Sequence, residues 1–264
     1  MADSAHAWRA YSYLCTGQGR GPVRRKFLQV HLLVRVGVDA MRADRRLPAQ
    51  LRPMATEAAP LHRADGSARF SHDKTAVLAA VYGPCEVKRS RERIDSAALD
   101  VIVRPAAGLP GAAEREMEQL LSATLQHAIL ISAHPRTAIS IVIQVCRDDG
   151  SLLSAVINAA CVALVQAGVP LCGMLAGCCI AVLPSGEALL DPTAEEQREA
   201  DSVSTYAYLI RQPEPSGSAE RRLLLSHVRG VVTQTQNDML LGAAQEAAAC
   251  TAAFCRQALH QQRS

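Results

Sequence analysis

The sequence predicts an α+β fold made of two sheet-and-helix lobes. Three observations carry this. First, short segments with apolar residues at every second position give way to segments with helical spacing, and that order occurs twice along the chain. Second, the segment after Gly150 carries apolar side chains on two adjoining helical stripes, so its helix must be covered on most sides. Third, the 264 residues are 49% hydrophobic and only 20% charged, enough to bury one large core or two compact ones.

The elements follow in chain order. Residues 1–50 read as a basic N-terminal extension, with a net charge of +6 against −3 for residues 51–264. A flexible tail is the preferred reading; Asp39 and Asp44 argue against a mitochondrial transit peptide. The structured body is expected to begin near Leu61, with a turn at Asp65-Gly66 and a surface turn at His72-Asp73. TAVLAAVYGP is a strand ending before Pro84, KRSRER (88–93) an exposed loop, and AALDVIVRP a second strand. Pro110-Gly111 leads into a helix over 113–131, with Met117, Leu121, Leu125 and Ala128 as its inward stripe. HPRT (134–137) turns the chain, and AISIVIQV places Ile139, Ile141, Ile143 and Val145 on one strand face. The helix after Gly150 carries Leu152, Val156, Ala160 and Leu164 beside Leu153, Ile157, Cys161 and Val165, and stops near Gly168-Val169-Pro170. Strands are expected at 173–183 and 188–190, then an acidic segment DPTAEEQREAD, strands at 202–210 and RRLLLSHV, and a closing helix over 233–261.

Several function classes lose support at this stage. No apolar run reaches membrane-spanning length, and no membrane partner is expected. The nine cysteines form no CxxC pair and sit mostly in apolar runs, which points to reduced core thiols. Cys178-Cys179 has no histidine near it in sequence to complete a metal site, and His62, His72, His127, His134 and His227 have no metal-ligand spacing. No GxSxG elbow supports a serine hydrolase. A body with net charge −3 is unlike a self-sufficient nucleic-acid binder.

RADGSARF…TAVLAAVYGP, AISIVIQVCRDDGSLLSAVINAACVAL and LLDPTAEEQREAD occur in the order and spacing of landmark segments of the ribonuclease PH-like proteins. Over residues 51–264 the chain resembles that family. GLPGAAERE, HPRT and LLDPT…EEQREA resemble a non-catalytic ring subunit of the eukaryotic RNA exosome. The resemblance implies an RNase PH-like fold, related to the ribosomal protein S5 domain 2-like architecture. It implies pairing with other RNase PH-like subunits in a pseudo-hexameric ring, S1/KH-type cap subunits above it, and single-stranded RNA passing through the channel toward hydrolytic exoribonucleases. It implies work in rRNA maturation and RNA degradation in nucleus, nucleolus and cytoplasm, and no cofactor.

The resemblance also locates a site. Active members hold phosphate on a Gly-Gly-Thr-Arg-Thr turn at a helix start. Here Gly150 and Ser151 fill the glycine positions, Leu152 and Leu153 replace the threonine and arginine, and Ser154 fills the last position. Leucines offer phosphate neither a hydroxyl nor a guanidinium fork. Two aspartates of active members match Thr193 and Val203, which carry no carboxylate. Asp191 and Asp201 lie two residues before each; the shift keeps the strand face but moves the carboxylate by roughly 6–7 Å. An arginine pair that grips RNA has only Arg104 and Arg115 as counterparts, around Pro110 and Gly111. The expected protein is thus a catalytically inactive homologue. RNA contact is assigned to Lys88, Arg89, Arg91, Arg93 and Arg104, against the plainer reading of a solvated loop softened by Glu86 and Glu92. The alternatives are an active phosphorolytic or hydrolytic 3′ exoribonuclease, motivated by Asp191 and Asp201, and a stand-alone RNA-binding module.

Overall fold

The computed structural model describes residues 42, 44–87, 92–211 and 220–263. Strands β1 (Met54–Ala58), β2 (Gly66–His72), β3 (Thr75–Glu86), β4 (Ala98–Arg104) and β5 (Thr137–Arg147) form one sheet in the order β1-β2-β3-β5-β4. β4 lies parallel to β5, which requires a crossover, and helix α1 (Ala112–Ala128) supplies it. β6 (Met174–Val182), β7 (Ala188–Leu190), β8 (Ser202–Ile210) and β9 (Arg221–Gly230) form a second, antiparallel sheet in the order β7-β6-β8-β9. Helices α2 (Leu152–Gln166), α3 (Ala194–Glu199) and α4 (Gln234–Arg263) complete the chain.

Alternation decides which face of the first sheet is buried. Val77, Ala79 and Val81 pair with Val145, Ile143 and Ile141, and all six are buried. On the reverse face Tyr82 and Ile102 are exposed. The buried face receives α2, which lies between the two sheets with every residue from Ser154 to Leu164 buried. Small residues allow this closeness. A Cβ at Gly66 would strike the backbone of Ala163 and Ala167, and one at Gly177 would lie 3.1 Å from Ser154 Cα. The buried amide of α2 is paired at both ends: Asn158 Nδ2 donates to the Gly177 carbonyl (3.1 Å) and Asn158 Oδ1 accepts from the Gly177 N–H (2.8 Å). α4 covers the other face of the second sheet, where Tyr206 Oη donates to Asn237 Oδ1 and Tyr208 Oη to the Leu241 carbonyl, each at 3.0 Å.

The structure departs from the sequence reading at four places. β1 and β2 precede the expected first strand, because short Ala/Ser-rich segments lack a strong alternating signal. β3 continues through Pro84 to Glu86, across a register irregularity between Tyr82 and Cys85 that accommodates the missing N–H. The acidic segment contains α3, started by a capping box in which Thr193 Oγ1 accepts from the Glu196 N–H and Glu196 Oε2 accepts from the Thr193 N–H. The packed body also reaches back ahead of residue 51. Arg42 and Arg46 are buried, and Arg42 Nη2 donates to the Leu190 carbonyl at 2.7 Å.

Candidate functional site

The turn before α2 is where the sequence placed a lost anion site. Gly150 adopts φ +89° and Ser151 φ +54°, so the chain enters α2 through a left-handed corner. The corner is pressed against the segment that follows β7. A Cβ at Gly150 would lie 2.6 Å from the Pro192 carbonyl oxygen, Ser151 Oγ donates to that carbonyl (3.0 Å), and the Ala194 N–H donates to the Asp149 carbonyl (3.1 Å). Leu152, Leu153 and Thr193 therefore sit together, although 40 residues separate Leu153 from Thr193 in the chain. Val203 lies on β8. It pairs with Ala181 on β6, on the strand face that carries Thr205 and Cys179, and Thr205 Oγ1 donates to Cys179 Sγ (3.6 Å).

The groups at the turn itself are engaged within the chain. Leu152 and Leu153 are half-buried against the core. Thr193 spends its hydroxyl capping α3. Ser154, the one hydroxyl left from the family turn, is buried and donates to the Ser151 carbonyl at 2.7 Å. The Gly150 N–H donates to Asp148 Oδ1 at 3.0 Å, so a carboxylate of the chain itself lies against the turn.

Beneath the turn is a buried ionic cluster that sequence reasoning missed. Arg52 is 1% exposed and Asp191 1% exposed. Arg52 Nη2 donates to Asp191 Oδ1 (2.8 Å) and Arg52 Nε to Asp191 Oδ2 (3.0 Å), a bidentate pair. The same guanidinium donates to the carbonyls of Asp149 (2.9 Å) and Gly150 (3.1 Å), and Thr75 Oγ1 donates to the Gly150 carbonyl (2.8 Å). His72 Nδ1 lies 3.3 Å from Asp191 Oδ2. Burial by itself would raise the Asp191 carboxyl, but His72 and Arg52 hold it well below the usual carboxylate range. Burial works against the Arg52 cation too, and Asp191 more than offsets it, leaving the guanidinium more basic than usual.

One sequence expectation is corrected by this cluster, and a candidate of the alternative reading is located in it. His72 is not in a surface turn: it ends β2 facing inward, 2% exposed, because the Arg52–Asp191 pair gives its ring a buried polar partner. Asp191, which motivates the active alternative, has both its oxygens bonded to Arg52 inside the protein. Asp201 is exposed, as a solvated residue would be. No sequence motif links Arg52, His72 and Asp191, since the pairing spans 139 positions; Arg52 lay next to the proposed boundary of the extension.

The remaining candidates are scattered. Lys88, Arg89 and Arg91 lie outside the described residues. Arg93 and Arg104 are exposed, and Arg115 is exposed on α1. Arg136 holds a turn at φ +60°: its N–H donates to the Arg93 carbonyl (3.1 Å), and its side chain lies 3.6 Å from Glu92. Cys178 and Cys179 face opposite sides of β6; Cys178 Sγ donates to the Ala244 carbonyl of α4, and Cys179 Sγ accepts from Gln197 and Thr205. Among the described residues no group of His, Cys, Asp and Glu side chains has the geometry of a metal site.

The two lobes, the helix enclosed between the sheets and the turn at its start define the class: an α+β protein of the RNase PH type. The model of the 3′ exoribonuclease family, domain 1, matches residues 50–170. The exosome complex exonuclease RRP46 homolog of Arabidopsis thaliana is 36% identical over 235 residues, covering 84% of this chain and 97% of that protein. The exosome complex component Rrp41 of Archaeoglobus fulgidus is 35% identical over 184 residues, covering 66% of this chain and 70% of that one. The crystal structure of rice (Oryza sativa) Rrp46 superposes with a TM-score of 0.74 at 36% identity, covering 81% of this chain and 98% of that one. A chain of an archaeal exosome core superposes with a TM-score of 0.67 at 18% identity and so shares the fold. The chain belongs to the RNase PH-like 3′ exoribonuclease family and is homologous to its Rrp41 and Rrp46 exosome core subunits.

Proposed function

We propose that this chain is a non-catalytic ring subunit of the RNA exosome, of the Rrp46 type (exosome component five), serving 3′-to-5′ RNA processing and degradation. Phosphorolysis needs a bound phosphate, a held RNA 3′ end and help at the departing 3′ oxygen. The observation that carries the reading is the fate of the polar groups around the α2 turn. Asp191 is spent on Arg52 and His72, Ser154 on its own helix start, and Leu152 and Leu153 on the core. Leu152 and Leu153 offer the turn neither a hydroxyl nor a guanidinium, and both oxygens of Asp191 are bonded to Arg52. The turn keeps its role as a corner between α2 and α3 and so preserves a subunit shape.

In this role the chain contributes closure of the ring beside other RNase PH-like subunits, a seat for S1/KH-type caps, and a stretch of wall along a channel that carries single-stranded RNA to associated hydrolytic nucleases. Its place of work is then nucleus, nucleolus and cytoplasm. Native mass spectrometry of the full chain after affinity purification tests the assembly. Recovery in a complex with five related ring chains supports the reading; a stable monomer that shortens RNA unaided counts against it. A second reading, an active exoribonuclease, is favoured by one fact: its plant relative is described as an exonuclease.

A further inference from the structure

We propose that Glu116, His227 and Arg229 form a pH-sensitive clasp between the two lobes. This goes beyond the ring assignment and does not depend on it. Glu116 lies on α1, the crossover helix of the first sheet. His227 and Arg229 lie on β9, the outer strand of the second sheet. Residues two apart share a strand face, so both side chains turn to the same helix. Arg229 Nη2 donates to Glu116 Oε2 at 2.9 Å, and His227 Nε2 lies 3.2 Å from Glu116 Oε1. One carboxylate thus meets a cation on one oxygen and a titratable ring on the other.

The surroundings add no competing charge. On α1, the neighbours one turn away from Glu116 are Ala112, Ala113, Gln119 and Leu120, all uncharged. Across the strand pair, His227 and Arg229 stand opposite Thr205 and Val203 of β8. Thr205 Oγ1 donates to Cys179 Sγ, and burial pushes that thiol up to about 11, away from the range in which histidines titrate. To the His227 ring, α1 therefore presents Glu116, β9 presents Arg229, and the paired positions of β8 present no charge.

Arginine keeps its charge at every working pH, so Arg229 holds Glu116 throughout. His227 does not. Neutral, its ring offers Glu116 at most an N–H; protonated, it adds a second cation and a charge-assisted bond. Glu116, in contact with both, offsets the repulsion between the two cations. The clasp tightens as His227 takes up a proton, and the added hold is lost as pH rises through the histidine range. The Glu116 and Arg229 side chains are 47% and 65% exposed, so solvent screens the pair and the change is modest. Its consequence is positional: it sets how firmly β9, at the edge of its sheet, is held against α1.

The test uses the full chain. NMR follows the His227 ring and the Glu116 carboxyl carbon between about pH 5.5 and about pH 8.5. Both signals should move with one midpoint. Glu116→Gln should lower the His227 midpoint, and Arg229→Gln should raise it. In a double-mutant cycle on the unfolding equilibrium, the coupling between His227→Gln and Glu116→Gln should be about two- to fivefold larger at the acid end than at the alkaline end. A Glu116 signal that stays still while His227 titrates overturns the proposal in the unaltered chain, without any variant having to fold. So does a His227 midpoint unchanged by Glu116→Gln, or a coupling equal at the two ends.

Discussion

At the scale of single residues, Asp191 and Arg52 decide the chemistry of the α2 turn. Removing one partner leaves the other charged and buried, which costs about 3–5 kcal/mol. Asp191→Asn should therefore lower the denaturation free energy by that order, while Arg52→Met combined with Asp191→Leu should recover much of it. The pH dependence has a definite sign. Asp191 is held below the ordinary carboxylate range in the folded state, so its stabilising contribution is present above the unfolded value of about 3.9 and is lost as pH falls through the lower folded value. The stability gap between the native chain and Asp191→Asn should shrink as the solution is made strongly acid and the Asp191 carboxylate is protonated. Thiol reactivity is a second residue-scale test. Burial pushes Cys161 and Cys179 up to about 11 and raises Cys178 and Cys255 as well, whereas Cys85 and Cys146 are exposed. Brief iodoacetamide treatment near neutral pH, read by mass spectrometry, should label Cys85 and Cys146 ahead of those four.

At the scale of elements, α2 and its two flanking corners hold the lobes together. Gly66→Ala should destabilise clearly, since its Cβ meets helix backbone that cannot move aside, whereas Gly242→Ala on the open side of α4 should stabilise by about 0.5–1 kcal/mol. Thermal melts of the two variants, shifted in opposite directions, are the expected result. The segment ahead of β1 is part of this framework as well. The Leu190 N–H donates to the Pro48 carbonyl at 2.8 Å, so a chain shortened to begin at residue 51 should exchange the Leu190 amide faster than the full chain. Elements with strong periodicity were legible from sequence: the alternation of Ile139 to Val145 and the double stripe after Gly150 predicted β5 and α2 closely. β1, β2 and α3 were not. β2 is rich in small residues, and α3 has six residues whose stability rests on the Thr193 cap and on packing beside the Gly150 corner rather than on an apolar stripe.

At the scale of the whole molecule, the site was legible by subtraction and illegible in its replacement. Leu152, Leu153 and Thr193 could be read as residues unable to hold phosphate, and the structure brings them to one corner. What fills the space could not be read, because Arg52, His72 and Asp191 meet only after both sheets have formed around α2. A buried ion pair is a poor source of net stability against a well-packed apolar alternative, but it does fix how the segments around it must sit. Here it ties the entry to β1, the end of β2, the α2 corner and the end of β7 to a single geometry. A frame held in this way suits the proposed role of a ring subunit, which would present constant surfaces to its neighbours. The claim that the charge-handling groups of the cleavage centre have been given over to internal packing is tested most directly by incubating the purified full chain with a 3′-labelled single-stranded RNA and inorganic phosphate. The account predicts no release of nucleoside diphosphate above a buffer control. Phosphate-dependent release that copurifies with the chain and disappears in Asp191→Asn, measured where that variant remains folded, would contradict it.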